Sequence, residues 1–271
     1  CISYFGTDGP YADWKGSDIA AGAVGGICNY LGEPGRPLLV PPLGIVDYQA
    51  GLNAAVATLI AVVAEAGGQI IHTPVAESWA TIQNGMSVIE FIFGERSFAR
   101  IGRGVRGGPY PNSILPTGDG DVRAICIQRR EWERFLEVMG NPKWAEDERF
   151  QDRVKMNEEY WEELDGHLVS WMADKTKDEV FELCQNAGVP FAPVNTIKDI
   201  ADSSRYSEWF EDVDQISVGK LRQTSPPYTF SVTPPMIYSG APLLGQHNER
   251  ILHEAGYSLE EISDLNDMDV I

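Results

Sequence analysis

Apolar stretches and short polar breaks divide the first hundred residues into recognisable elements. Ile2-Ser3-Tyr4-Phe5 reads as a strand that runs into the turn-rich Gly6-Thr7-Asp8-Gly9-Pro10-Tyr11. A helix is expected from Ser17 or Asp18 through Ala23, with small residues up to Gly26 that permit close packing. Residues 31–42, containing Gly32-Glu33-Pro34-Gly35-Arg36-Pro37, read as loop. Gly44-Ile45-Val46 then leads through Asp47 into a long, almost uncharged helix, expected over 47–65 and stopped at Gly67-Gly68. Residues 69–72 read as a strand ended by Pro74, and 76–91 as a further helix. Strand, helix, strand, helix in this rhythm predicts an α/β layer.

From 96 to 116 the chain turns to Gly, Pro and Arg, which reads as a linker or mobile loop before a second unit. That unit is expected to hold a strand at 122–127, helices at 130–138, 160–172 and 177–187, and an extended connection at 188–194. Residues 205–240 read as short strands and prolines, and a last helix is expected from near Gln246 to Ala255-Gly256.

A length of 271 residues fits one large domain or two modest ones with a real core. Hydrophobic residues at 43% and charged residues at 23% are the composition of a soluble globular protein. The formal charge of −19 argues against a nucleic-acid or anionic-membrane partner, because no basic run offers a compensating patch. The most apolar run, 54–64, is too short to span a bilayer. Cys1, Cys28, Cys126 and Cys184 lack the paired spacing of a zinc site or a disulfide framework, so reduced thiols in a cytoplasmic protein are expected. The chain opens at Cys1 directly into a strand, and the expectation is that an upstream piece of the native protein is absent.

Candidate chemistry centres on Asp47. A carboxylate that ends an apolar run at a helix start is costly to bury unpaired. It either caps the helix or performs chemistry, and the two are compatible, since a helix N-terminus keeps a carboxylate ionised. Asp18, in Trp14-Lys15-Gly16-Ser17-Asp18, also stands where a helix begins. It is either a cap or a partner of Asp47 that positions a substrate or shares a proton. His72, His167, His247 and His253 have no metal-binding spacing. Gly102-Arg103-Gly104-Val105-Arg106-Gly107 matches a dinucleotide pattern in letters only, because Pro109 and Pro111 prevent the helix that pattern needs. The segment is either a solvated linker or a mobile lid. Serine-hydrolase and phosphate-loop motifs are missing from the sequence.

An ordered set of segments resembles the family III CoA-transferases. It comprises Ile2-Ser3-Tyr4-Phe5-Gly6, Gly9-Pro10-Tyr11-Ala12-Asp13, Gly16-Ser17-Asp18, Gly32-Glu33-Pro34, Asp47 with Gly51 and Ala54-Ala55, Gly188-Val189-Pro190, and Ala241-Pro242-Leu243-Leu244-Gly245-Gln246-His247. The resemblance spans nearly the whole chain. It implies transfer of CoA between an acyl-CoA and a carboxylic acid through an aspartyl-CoA thioester, with Asp47 as nucleophile, Asp18 near the substrate and Lys15 contacting CoA. Gly107 and Gly108 fall loosely on a glycine-rich loop that shields the intermediate. CoA is then a substrate, and no permanently bound cofactor or metal is implied. The implied fold is part of a Rossmann-like large domain (1–100, with return over 225–271) and a smaller α+β domain (101–224), in a family of interlocked homodimers. Two alternatives stand. In the racemase branch a histidine precedes the aspartate, but Ser17 stands there, and serine cannot take up a proton at neutral pH. The other is a non-catalytic fragment that needs its N-terminal part.

Overall fold

Ile2–Ser3 (β1) pairs in parallel with Thr73–Pro74 (β2), with Ile2 opposite Thr73. A parallel pair needs a long crossover, and here it contains helix α1 (Asp18–Val24) and helix α2 (Ile45–Val63). In this computed structural model the described residues are all but 43, 84, 95–99, 101 and 105–107, and the side chains of 82, 83, 85–87 and 90 are also left aside. The strand expected at 69–72 begins only at Thr73, because its register is set by the two residues of β1. The helix expected over 76–91 is a broken one: α3 (Val75–Ser78), a wider π-type turn over Trp79–Gln83, and α4 (Gly85–Gly94).

Ala21, Val46, Ala50, Val75, Ala76 and Trp79 form the core of this layer, with Tyr4, Phe5 and Ile27 packed on it. Glycines set the helix spacing. A Cβ on Gly22 would lie 3.1 Å from Val46 Cγ2, and one on Gly25 would lie 2.9 Å from the Ala76 carbonyl oxygen. Either would push α1 away from its neighbours in a close-packed interior.

Helix α2 is by length and composition long and apolar enough to cross a membrane. The run 54–64 underestimates it, since the helix begins at Ile45. Contacts with α1, α3, β1 and β2, and the polar Asp47, Gln49 and Asn53 along it, fit a helix of a globular layer. Its buried residues are Val46 and Ala50, while Tyr48, Leu52, Val56, Leu59, Ile60 and Val63 are exposed.

A second core follows. β3 (Asn112–Pro116) pairs antiparallel with β4 (Asp121–Ile125), whose other edge takes β5 (Ala192–Pro193). The segment 96–116 is therefore not linker throughout. Pro111 before it and Pro116 as its last residue mask a strand that its pairing partner stabilises. Helices α5 (Arg129–Val138), α6 (Arg153–Glu159), α7 (Trp161–Met172) and α8 (Lys177–Asn186) pack around Tyr110, Phe135, Leu164, Leu168, Val180 and Phe191. Burial pushes the Cys126 thiol up and the Cys184 thiol up to about 12. Both are poor nucleophiles as a result.

The chain divides into two compact units, Cys1–Val194 and Asn195–Ile271. The first holds both cores. The second contains α9 (Ile197–Asp202), a hairpin of β6 (Phe210–Gln215) and β7 (Gly219–Thr224), and helices α10 (Asn248–Glu254) and α11 (Leu259–Asp267). Helices α6, α9 and α11 are additions to the elements expected from periodicity; they are short, and reciprocal capping boxes start α9 at Thr196 and α11 at Ser258. The fold is mixed α/β.

Candidate active site

The local sequence at the start of α1 sets the site in motion. Ser17 is the N-cap, with extended backbone and its Oγ accepting from the Ala20 N–H at 3.4 Å. Asp18 is the first residue of α1, and its side chain is not the one that caps that helix. The close approach of α1 to α2 at Gly22 carries the Asp18 carboxylate to the start of α2. There Oδ1 accepts the backbone N–H groups of both Val46 and Asp47, each at 3.0 Å.

This geometry settles which acid caps the long helix. The N-cap position of α2 is Gly44, at φ +67°, and no side chain of its own serves the exposed N–H groups. Asp47 lies in the first turn and is not the cap. Asp18 takes that role from a distant part of the chain and leaves the Asp47 side chain available. Asp47 is exposed and Asp18 half-buried.

Among the described residues, the side-chain donor on the Asp47 carboxylate is Tyr4, whose hydroxyl lies 3.3 Å from Oδ2. Tyr4 leaves β1 beside α3, where its carbonyl oxygen accepts the Ala76 N–H at 3.2 Å. Its side chain passes so close to Gly16 that a Cβ there would lie 2.2 Å from the Tyr4 Cβ. Partial burial, then the negative charge of Asp47 and its hydrogen bond, and then Asp18, raise the Tyr4 hydroxyl above the ordinary tyrosine range. It therefore stays a neutral donor at physiological pH.

Asp47 lines two neighbouring hollows. One, of about 330 Å³, is formed with Ile2, Ser3, Tyr4 and Val75. The other, of about 710 Å³, is formed with Gly44, Tyr48, Gly51 and Leu52. Gly51 lies one turn below Asp47, and a Cβ there would meet nothing within 4 Å. The arrangement is an exposed carboxylate, one oxygen held by a phenol, facing open space of ligand size.

The other expected site residues lie elsewhere. Lys15 is exposed on the loop that Trp14 anchors by packing on Tyr11 and Phe5. Gly108 is half-buried, its carbonyl accepting from the Asn157 side chain at 2.9 Å, at the edge of the second core. Gly107 lies outside the described residues. His72, unexplained in the sequence, shares a 2.7 Å hydrogen bond with Thr7 and so ties the loop after Tyr4 to the start of β2. Among the described residues no cluster of three or more His, Cys, Asp or Glu could hold a metal ion. Tyr4, Gly16 and Gly44 are missed by sequence reasoning. A phenol where a strand runs into a glycine turn is a weak signal, and nothing local ties it to Asp47.

Residues 1–248 match CoA-transferase family III, and the chain belongs to that family. It is 27% identical to the succinyl-CoA–D-citramalate CoA-transferase of Chloroflexus aurantiacus over 256 residues, covering 92% of this chain and 63% of that protein. It is 25% identical to the formyl-CoA:oxalate CoA-transferase of Bradyrhizobium sp. over 295 residues, covering 96% of this chain and 67% of that protein. The fold is similar to a crystal structure of a CAIB/BAIF family protein from Brucella suis, with a TM-score of 0.77 at 22% identity, covering 93% of this chain and 66% of that chain. The chain thus spans roughly two thirds of the length of these proteins.

Proposed function

We propose that the protein transfers CoA between an acyl-CoA thioester and a carboxylic acid, with Asp47 as the nucleophile. The observation that carries this reading is the division of labour between two acids. Asp18 accepts the N–H groups at the start of α2, so the Asp47 carboxylate is left exposed beside two hollows. The names of the relatives pair succinyl-CoA with D-citramalate and formyl-CoA with oxalate. A short acyl-CoA and a small carboxylic acid are the substrate class carried over here.

The chemistry runs as substitution at three carbonyl carbons: that of the donor thioester, Asp47 Cγ and that of the acceptor acid. An Asp47 oxygen attacks the thioester carbon, the carbon–sulfur bond breaks, and CoA leaves as thiolate, giving a mixed anhydride. The thiolate attacks Asp47 Cγ and expels the donor acid as its carboxylate, giving an aspartyl-CoA thioester. The acceptor carboxylate attacks the same carbon and releases the thiolate, giving a second mixed anhydride. The thiolate then attacks the acceptor acyl carbon and expels the Asp47 carboxylate, which regenerates the enzyme. One thioester replaces another of similar energy, so no external driving reaction is needed. Covalent capture splits a difficult exchange into easier steps, and holding the partners together lowers the barrier further.

Several finer points belong to the same reading. Lys15 contacts CoA, Gly107 and Gly108 cover the intermediate, and the active assembly is a homodimer with a Rossmann-like large domain. Racemisation is set aside because Ser17, the cap of α1, occupies the place of the base. In the test, protein incubated with acyl-CoA carries a hydroxylamine-sensitive adduct on Asp47, found by peptide mass. Asp47→Ala abolishes adduct and turnover. Full turnover in Asp47→Ala, with no adduct in the parent protein, would overturn the proposal. Deuterium incorporated at the α-carbon of a 2-methylacyl-CoA in heavy water, without an acceptor acid, would favour the racemase.

A further inference from the structure

The two oxygens of Asp47 are not equivalent. Oδ2 faces the Tyr4 hydroxyl at 3.3 Å. That hydroxyl is held from three sides of the residue. The backbone of Tyr4 follows a paired strand, its carbonyl is bonded to the Ala76 N–H, and its side chain is packed against the Cα of Gly16. The ring cannot swing toward residue 16 without collision.

We propose that Tyr4 is a catalytic residue: its hydroxyl holds Oδ2, leaves Oδ1 as the attacking atom, and stabilises the oxyanion formed on Oδ2 whenever Asp47 Cγ is attacked. The inference rests on the assignment of Asp47 as nucleophile. In the mixed anhydride, Oδ1 bridges to the acyl group and Oδ2 is the carbonyl oxygen. When CoA thiolate attacks Cγ, a sulfur–carbon bond forms and the carbonyl electron pair moves onto Oδ2. Collapse of that pair breaks the Cγ–Oδ1 bond and releases the donor carboxylate. The acceptor carboxylate repeats the sequence at Cγ and releases thiolate. No proton is transferred, so the phenol donates a hydrogen bond and keeps its hydrogen throughout.

The effect is selective among the steps. In the first attack Asp47 gives up negative charge, and a donor on Oδ2 offers no help there. In both attacks on Cγ the charge on Oδ2 increases, and a fixed donor helps most. The 3.3 Å separation is longer than an ordinary hydroxyl–oxygen hydrogen bond. Catalytic hydrogen bonds of this kind shorten as charge develops.

Tyr4→Phe in the protein as its gene encodes it tests the proposal, since it removes one oxygen and keeps the ring that packs on Gly16. The expected result is turnover reduced by about 100-fold, the scale of losing one oxyanion donor, with KM little changed. Quenched during turnover, the parent protein carries CoA on Asp47, whereas the variant accumulates the acyl group there, because the steps at Cγ are slowed and the first is not. Unchanged turnover in Tyr4→Phe overturns the proposal. So does slower turnover with the same CoA-bearing species, which marks Tyr4 as structural only. A parent protein with no adduct on Asp47 instead overturns the nucleophile assignment itself, and peptide mass distinguishes the two failures.

Discussion

At the residue scale the site depends on which of two carboxylates serves the backbone. Asp18 Oδ1 accepts two N–H groups from the first turn of α2, the work an N-cap side chain does within its own helix. Substituting Asp18 by Ala leaves those groups without a protein partner and loosens the turn that carries Asp47. Expected losses are about 1 kcal/mol of stability, the usual cost of a lost cap, together with a clear fall in kcat. Asp18→Asn keeps an acceptor oxygen and retains more of both. Urea unfolding and steady-state kinetics on the two variants measure this. Asp47 is legible in the sequence as an acid closing an apolar run at a helix start. Its release from capping is not, because the substitute lies 29 residues away. Only the packing of α1 on α2 through Gly22 brings it there.

At the scale of the element, α2 is recognisable from its apolar letters, and its end at Val63 lies two residues short of the expected 65 and ahead of the paired glycines. Its start is displaced from Asp47 to Ile45 because Gly44 takes a left-handed conformation that the letters do not reveal. Gly51 is the informative position. Within a helix a glycine costs roughly 1 kcal/mol relative to alanine, and a Cβ at this one would touch nothing within 4 Å. It does, however, line the hollow beside Asp47. Gly51→Ala is therefore expected to stabilise the protein by about 0.5–1 kcal/mol. The added methyl also narrows the hollow, so kcat/KM falls, most for the bulkiest acyl-CoA. Urea titration and kinetics across an acyl series separate the two effects. A gain in stability with no change across the series would mean that the substrate does not use this hollow.

At the scale of the whole molecule, ordered motifs along the chain reveal the family, while composition leaves surface and stability undecided. On α2 the apolar residues Val56, Leu59, Ile60 and Val63 are exposed, as are Phe91, Ile92 and Phe93 on α4. Charge offers a second test. Aspartate and glutamate total 40 against 21 lysines and arginines, so like charges crowd the surface and oppose compaction. Attractive pairs exist, such as Arg129–Glu133, Lys155–Glu159 and Arg250–Glu254, but they are solvent-exposed pairs one helical turn apart. Each contributes about 0.3–0.5 kcal/mol at most. Salt weakens both terms, since the screening length falls from about 30 Å at 0.01 M to about 8 Å at 0.15 M. Close pairs lose little of their attraction over that range, whereas the many longer-range repulsions are largely removed. The thermal midpoint at neutral pH is therefore expected to rise by a few degrees between those salt concentrations. A fall instead would show that the exposed ion pairs outweigh the excess of negative charge.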